Sequence, residues 1–354
     1  FAQNPNKEYL FIIHNVVDGQ GGLEHKNSTT LSVNRWTYSG SSYVKFLSLV
    51  AHEYFHLWNV KRIRPVELGP FDYNQENYTD LLWVMEGFTS YYDELLLLRA
   101  GYYTQSEFLS KMESSINYVE GSVGARVQPV AHASYDAWIK AYRPNENSSN
   151  TTMTYYTRGS IIASFLDVKI IRNTNGEKCL DHFLQHIYDK FYVKAGRGFT
   201  SQEFKSELES FTGENLDNFY ADYIDGTAIP SYAELFDGMG VQVTDVTSTK
   251  PDFGASLRSS GGKAIVSRIR SNSAAEDAGL SVNDEIIGCN GYRVSKSDIE
   301  GLMKSLNEGE ELELLIARDE ILFSVSFTMT NYTRPRYLLN LTNEKNKLRA
   351  YWLR

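Results

Sequence analysis

The 354-residue sequence predicts an α+β protein with a helix-rich first part and a small β module after it. Apolar residues recur at helical spacing over residues 43–62, 81–100, 104–118, 157–174, 178–192, 200–211 and 215–224. From about residue 236, short strand-like runs bounded by turn residues replace this pattern. We therefore expect a first domain at 1–235, a closed β module at 236–330 and a C-terminal tail at 331–354.

Composition narrows the classes of partner. The net charge is −9 and the sequence pI is about 5.4, which argues against nucleic acid or an anionic membrane as the main partner. No apolar run reaches the length of a membrane span, so we expect a soluble protein. Cys179 and Cys289 fall in different predicted domains, so a structural disulfide is not expected.

The start of the chain leaves the compartment open. Phe1 stands first, with no initiator Met and no signal peptide, so we expect a piece of a longer precursor. Cytoplasmic, periplasmic and secreted locations all stay possible.

The first chemical motif lies on the helix predicted over residues 43–62, for which Ser41 or Ser42 is the expected N-cap. His52, Glu53 and His56 form a His-Glu-x-x-His pattern. Histidines four apart share a helix face and can bind one zinc ion, while Glu53 points beside it and can act on a metal-bound water. A buried helix with two hydrogen-bonded histidines fits the same pattern, so later residues must decide.

Glu86 is the candidate third ligand, because a catalytic zinc takes three protein ligands and keeps one open position. Its neighbours Val84, Met85 and Phe88 are apolar, and a carboxylate among them is costly unless it is paired or bound to metal. Asp80 is the expected cap of this second helix, and Gly101 its end. The alternative is an exposed glutamate on an amphipathic helix.

The N-terminal residues predict the edge of a cleft. A buried strand is expected at 9–14, a turn at 19–22 and a second strand at 29–33. Glu24 lies between the strands, and its carboxylate could hold a substrate's α-ammonium if it points into the cleft. Composition alone favours a surface hairpin residue.

Two other features are weaker. His182 and His186 are also four apart, but no glutamate follows His182 and no acidic partner resembles Glu86, so an ordinary helix surface is expected. A tyrosine in 154–159 could stabilise an oxyanion, yet composition does not select one among 24 tyrosines. Residues 119–152 are expected to form long loops beside the site.

The β module shows strands at 263–270 and 285–289, helices at 274–278 and 298–306, a tight turn at Asn290-Gly291, and a hairpin over 312–327. The tail from residue 331 is basic and aromatic, and we expect it to pack back on the first domain.

Four motifs in order resemble the glycyl aminopeptidase family of gluzincin metallopeptidases, which carry a C-terminal PDZ domain. The motifs are GGLEH (21–25), HEYFHLWN (52–59), WVMEGFT (83–89) and YYTRG (155–159). The resemblance implies a thermolysin-like domain, with a β-rich lobe and a helical lobe around zinc. Family members usually have a further β domain ahead of the position of Phe1.

The same resemblance implies roles for individual residues. His52, His56 and Glu86 are implied as zinc ligands and Glu53 as the general base. Tyr156 corresponds to an oxyanion-stabilising tyrosine of aminopeptidase N-like enzymes, with Arg158 in place of a lysine. Gly22 and Glu24 fall in the segment that binds the substrate amine, with Glu24 as the anchor.

The segment 240–330 is similar to a PDZ domain through AAEDAGL (274–280) and NDEII (283–287). PDZ domains bind C-terminal peptides by strand addition. The implied carboxylate-binding loop consists of Phe253, Gly254, Ala255, Ser256 and Leu257.

The leading hypothesis is a zinc aminopeptidase that removes small N-terminal residues, glycine or alanine, from peptides with a free N-terminus. Two alternatives stay open. One is a zinc endopeptidase whose PDZ module presents substrate tails. The other is a peptide-binding scaffold with a retired catalytic domain.

Overall fold

The computed structural model describes residues 4–354, which begin with a three-stranded sheet. Its strands are β1 (Leu10–Val16), β2 (Gln20–Glu24) and β3 (Ser28–Asn34). They lie in the order β1-β3-β2, with β1 parallel and β2 antiparallel to β3. Alternate residues of β3 point inward, and Leu31 and Val33 pack against Phe46 of the following helix.

Two predictions about this sheet are wrong. The first strand is exposed rather than buried, with Leu10 at 59% and Ile12 at 41% relative exposure, because β1 is an edge strand with one neighbour. The turn predicted at 19–22 is instead largely strand β2. Gly21 and Gly22 pair with Ser32 and Leu31, so the chain turns just before them.

A helical lobe follows the sheet and contains the largest hydrophobic core. Its helices are α1 (Gly40–Phe55), α2 (Leu82–Met85), α3 (Gly87–Arg99), α4 (Gln105–Glu120), α5 (Val130–Tyr135), α6 (Ser148–Thr151), α7 (Tyr155–Asn173), α8 (Leu180–Ile187), α9 (Ser201–Thr212), α10 (Asp217–Phe219) and α11 (Tyr232–Leu235). Helices α8 and α10 each continue into a π-helical turn, over Tyr188–Ala195 and Tyr220–Ile224.

Helix ends follow local capping chemistry where a capping box is present. Thr104 and Thr200 each accept a hydrogen bond from the backbone N–H three residues later, which confirms the predicted starts of α4 and α9. Gly101, with φ +77°, follows the end of α3 as predicted, but the other two predicted N-caps are wrong. Helix α1 begins after Ser39, and Asp80 accepts a hydrogen bond from Ser201 Oγ instead of capping α2.

The segment 119–152 is more ordered than the sequence predicted. Helix α4 runs to Glu120, and α5 and α6 lie inside the segment. Val130, Ala131 and Ala133 are buried against the main core. These three apolar residues hold the segment in place, although its overall hydrophobic periodicity is weak.

The rest of the chain forms the β module and the tail. Its elements are β4 (Val241–Asp245), β5 (Ser248–Pro251), β6 (Ala255–Ser260), β7 (Lys263–Ile269), α12 (Ala274–Asp277), β8 (Glu285–Cys289), β9 (Tyr292–Arg293), α13 (Lys296–Ser305), β10 (Glu311–Arg318), β11 (Ile321–Thr328), β12 (Asn331–Arg334), β13 (Tyr337–Leu341) and α14 (Lys347–Trp352). Strands β11-β10-β8-β7-β6 form one sheet around a separate core, with β6 at its edge.

The tail returns to the helical lobe. Strands β12 and β13 pair with β5 and β4, and α14 then places Trp352 in the main core. The indole Nε1 of Trp352 donates a hydrogen bond to Tyr91 Oη, 2.8 Å away, and Tyr91 donates to Asp167. Within residues 4–354, no helix combines the length and apolar character needed to cross a bilayer.

Candidate active site

Helix α1 carries the first two candidate ligands. His52 lies in its last turn and His56 is its C-cap, so the helical spacing holds up to the end of the motif. The two imidazole rings are perpendicular, with centroids 4.8 Å apart. Both Nε2 atoms therefore face a common point beside the helix.

Glu86 reaches that point from the junction between α2 and α3. Its Oε2 lies 3.2 Å from His52 Nε2 and 3.3 Å from His56 Nε2. The Glu86 side chain is only 18% exposed, which contradicts the alternative of a solvated surface glutamate. The structure thus brings the three predicted ligands together.

Two glycines allow this arrangement. A β-carbon on Gly87 would overlap the backbone of Gly159, so α3 and α7 can cross in contact only without side chains there. The close crossing places Glu86, next to Gly87, near Tyr156, three residues before Gly159.

The donor set fits a divalent zinc ion. His52 Nδ1 lies 3.0 Å from Asp93 Oδ2, and His56 Nδ1 lies 2.7 Å from the carbonyl oxygen of Asn59. These contacts occupy the outer ring nitrogens and leave both Nε2 atoms for a metal. Two imidazole nitrogens and one carboxylate oxygen, all within 4.8 Å of one another, match the ligand chemistry of a catalytic zinc site.

The electrostatics of the cluster favour a bound cation. Burial acts to lower the pKa of His52, but hydrogen bonds and charges from Asp93 and Glu86 outweigh it and raise that pKa to about 10. Burial likewise opposes the net rise of the His56 pKa, for which Glu86 is responsible. Burial acts to raise the pKa of Glu86, yet the two histidines lower it. Positive charge is therefore stabilised at the Nε2 atoms, where a metal would replace the protons.

Glu53 lies beside the cluster. Its side chain is buried, burial raises its pKa, and its Oε2 has no hydrogen-bond partner among the described residues. A buried unpaired carboxylate oxygen is unusual and indicates a group that acts on a ligand or water.

The predicted substrate-binding residues of β2 adjoin Glu53. A β-carbon on Gly22 would overlap Glu53 Cδ, so only glycine lets the strand approach this carboxylate. The Glu24 carboxylate lies within 4.8 Å of donor atoms of Glu53 and His56, which places it inside the cleft. It also forms an ion pair with Lys61, with Oε1 3.0 Å from Nζ.

Tyr156 lies in the first turn of α7 and faces His52. The two rings are stacked with centroids 6.2 Å apart. Burial and then the charge of Glu86 raise the pKa of Tyr156, so its hydroxyl stays protonated and can donate a hydrogen bond. Arg158 turns away and donates to the carbonyl oxygens of Ala125 and Gly226, so its guanidinium contributes to the fold.

The loop predicted to bind a carboxylate precedes the edge strand β6. Phe253 is buried against Phe327, and Gly254 has φ +83° with no room for a β-carbon beside Ser273. Ala255, Ser256 and Leu257 begin β6 itself. An edge strand offers the unpaired backbone groups that strand addition requires.

Sequence reasoning missed Asp93, Asn59 and Lys61. Asp93 could have been found, because it lies seven residues after Glu86 and so on the same side of α3. Asn59 contacts His56 through its backbone carbonyl, and its side-chain Nδ2 donates to the carbonyl oxygens of Val84 and Met85 beside Glu86. Lys61 meets Glu24 only in the folded chain.

Comparison with known families gives the class of protein. Residues 45–162 match the family model described as M61 glycyl aminopeptidase, and residues 237–328 match that of the PDZ domain. A segment similar to M61 glycyl aminopeptidases is therefore followed by a segment similar to PDZ domains, which confirms the recognition made from the motifs.

A solved structure of similar fold agrees with this class. An aminopeptidase N family protein from Idiomarina loihiensis is similar over 99% of this chain, with a TM-score of 0.85 and 27% identity. The chain spans 63% of the length of that protein. The PDZ domain of a carboxy-terminal protease from Vibrio cholerae, solved with a peptide, aligns with 24% of this chain and 98% of its own, at 19% identity and a TM-score of 0.22. No curated protein sequence gave a significant match.

Proposed function

We propose that this protein is a zinc-dependent aminopeptidase that removes small N-terminal residues, glycine or alanine, from peptides. The observation that carries the proposal is the convergence of His52 Nε2, His56 Nε2 and Glu86 Oε2 beside the unpaired carboxylate oxygen of Glu53. The match to the M61 glycyl aminopeptidase model supports both the exopeptidase activity and the preference for small residues.

His52, His56 and Glu86 would hold the metal. Bound zinc supplies Lewis acidity and lowers the pKa of water to near neutrality. Asp93 and the carbonyl of Asn59 keep the two imidazoles in the tautomer that presents Nε2.

Glu53 moves the proton. Its free oxygen accepts a proton from the attacking water and then passes it to the leaving amine. Burial favours this exchange because a raised pKa makes the carboxylate a better base. Tyr156 donates its hydroxyl hydrogen to the oxyanion that develops on the scissile carbonyl.

Glu24 anchors the substrate's free α-ammonium by a charge-assisted hydrogen bond. Lys61 holds that carboxylate in place before substrate arrives, because the ion pair fixes its rotamer. An anchor one residue from the scissile bond restricts cleavage to the N-terminal residue. The PDZ domain is proposed to bind C-terminal peptides along β6.

The test is a peptide digest with matched substrates. A peptide with N-terminal glycine should release free glycine, while its N-acetylated form should stay intact and a chelator should stop the reaction. Equal cleavage of both forms would favour the endopeptidase alternative. Peptide binding without zinc or hydrolysis would favour the retired scaffold.

A further inference from the structure

A cavity of about 840 Å³ separates the helical lobe from the β module. One wall contains Tyr142, Tyr155 and Tyr156, and the opposite wall contains Arg268 and Arg334. Tyr156 is the side chain that stacks on His52, so one residue lines this cavity and also contacts the metal-ligand cluster. Its volume is in the range of small-ligand sites and holds a few residues of an extended peptide.

Hydrogen bonds from two side-chain amides fix the position of the helical lobe relative to the β module. Asn150 is buried; its Nδ2 donates to the carbonyl of Ile269, and its Oδ1 accepts from the N–H of Ser271. Asn117 makes the same pair of bonds to both backbone groups of Tyr337. Side-chain amides that satisfy both a donor and an acceptor across an interface fix its orientation. The arginine wall therefore faces the tyrosine wall at a defined distance.

The charges on the wall are unbalanced. Arg270 pairs with Asp252 at 3.2 Å and stacks on the Tyr332 ring, and Asp252 is the sole acidic residue among the described residues that line the cavity. Arg268 and Arg334 have no carboxylate partner within residues 4–354. A cationic wall in a chain of net charge −9 indicates a site for a negatively charged group.

We propose that Arg268 and Arg334 bind the C-terminal carboxylate of short peptide substrates whose amino end lies at Glu24. This inference rests on the proposed aminopeptidase function and adds a specificity for short peptides with a free carboxylate. It differs from strand addition along β6 because the side chains of Arg268 and Arg334 bind the carboxylate. The backbone of Gly254, Ala255 and Ser256, which line the same cavity, is not the proposed binder.

The experiment compares the tetrapeptide Gly-Ala-Ala-Ala as the free acid and as the C-terminal amide. For the wild-type protein, KM should be about tenfold lower for the acid, because a charge-assisted hydrogen bond is lost in the amide. The double variant Arg268→Ala/Arg334→Ala should raise KM for the acid to that of the amide and leave kcat unchanged. Arg293→Ala, on an exposed strand outside the cavity, is the matched control and should keep the difference.

Peptide length supplies a second arm. A peptide of ten residues exceeds the cavity, so its acid and amide should have equal KM values. If the ten-residue acid still has the lower KM, its C-terminal carboxylate is bound by a groove that accepts long peptides, and the proposal is overturned. It is also overturned if the wild-type protein treats the tetrapeptide acid and amide alike, or if the double variant keeps the difference. In those cases, continued release of glycine shows that the aminopeptidase function stands.

If no peptide is cleaved, the proposed function fails, and binding decides the inference separately. Calorimetric titration with the same acid and amide needs no turnover. Tighter binding of the acid that disappears in the double variant supports the arginine site, and equal binding of the two peptides overturns it.

Discussion

Two histidine pairs with the same spacing lie on two helices of this protein, and their surroundings differ completely. His52 and His56 point their Nε2 atoms at Glu86, while Asp93 and the carbonyl of Asn59 hold the outer nitrogens. His182 contacts Cys179 in its own capping turn, and His186 lies at the surface with Glu207. Spacing permits two imidazoles to share an ion, but a third ligand and fixed tautomers make the site.

The largest expected effect comes from removing a proposed ligand. His56→Ala should lower bound zinc from about one per chain to near zero after dialysis and abolish peptide hydrolysis, because two ligands hold the ion poorly. His186→Ala is the control with the same chemical change on the other pair, and it should retain zinc and activity. Elemental analysis measures the metal. Loss of zinc from both variants would refute the distinction between the pairs.

The next effect separates metal binding from proton transfer. Glu53→Gln should reduce kcat by about 10³-fold or more while zinc content stays near wild type, since the amide cannot accept the proton. Glu207→Gln changes a carboxylate that contacts His186 and should leave kcat unaltered. Near wild-type turnover of Glu53→Gln would rule out Glu53 as the general base.

A substitution at Asp93 tests the role of its contact with His52 Nδ1. Asp93→Asn should weaken zinc affinity about 10- to 100-fold, because the amide holds the His52 tautomer less firmly. Competition with a chromogenic chelator gives the affinity. An unchanged affinity would mean that Asp93 has only a structural role.

The amine anchor predicts a smaller, substrate-dependent effect. Glu24→Ala should raise KM about tenfold for peptides with a free amine. Lys61→Ala removes the ion pair but keeps the anchor, so it should preserve the preference for a free amine over an N-acetyl group. Competition binding of the acetylated peptide should be similar in wild type and Glu24→Ala. Equal losses for both peptides would exclude an amine-specific role.

A separate effect, on stability rather than on activity, is a pH dependence of the metal-free protein. The pKa of His52 is raised to about 10 from 6.5, so its protonated form stabilises the fold fully below pH 6.5 and this contribution is lost as pH rises through 10. Urea unfolding should therefore show stability falling between these values, and His52→Gln should flatten the slope. A stability that rises over this window in wild type but not in the variant would contradict the assignment.

The sequence allowed the cluster to be predicted because its parts are local. The four-residue spacing of His52 and His56 and the apolar neighbours of Glu86 can each be recognised within a few consecutive residues. The capping boxes at Thr104 and Thr200 are equally local, and they predicted where α4 and α9 begin.

Features that depend on distant contacts were out of reach. The helix break at Glu86 accompanies a glycine crossing with α7, and the Lys61–Glu24 pair joins a turn to a strand. The exposure of β1 depends on its place at the sheet edge, which a run of apolar residues does not encode.

The most direct test of the central claim is a crystal structure with diffraction recorded on both sides of the zinc absorption edge. One anomalous peak is expected, bonded to His52 Nε2, His56 Nε2 and Glu86 Oε2 at about 2.0–2.2 Å, with an open position facing Glu53. A zinc-loaded crystal with no peak there, and with the Glu86 carboxylate turned toward solvent, would contradict it.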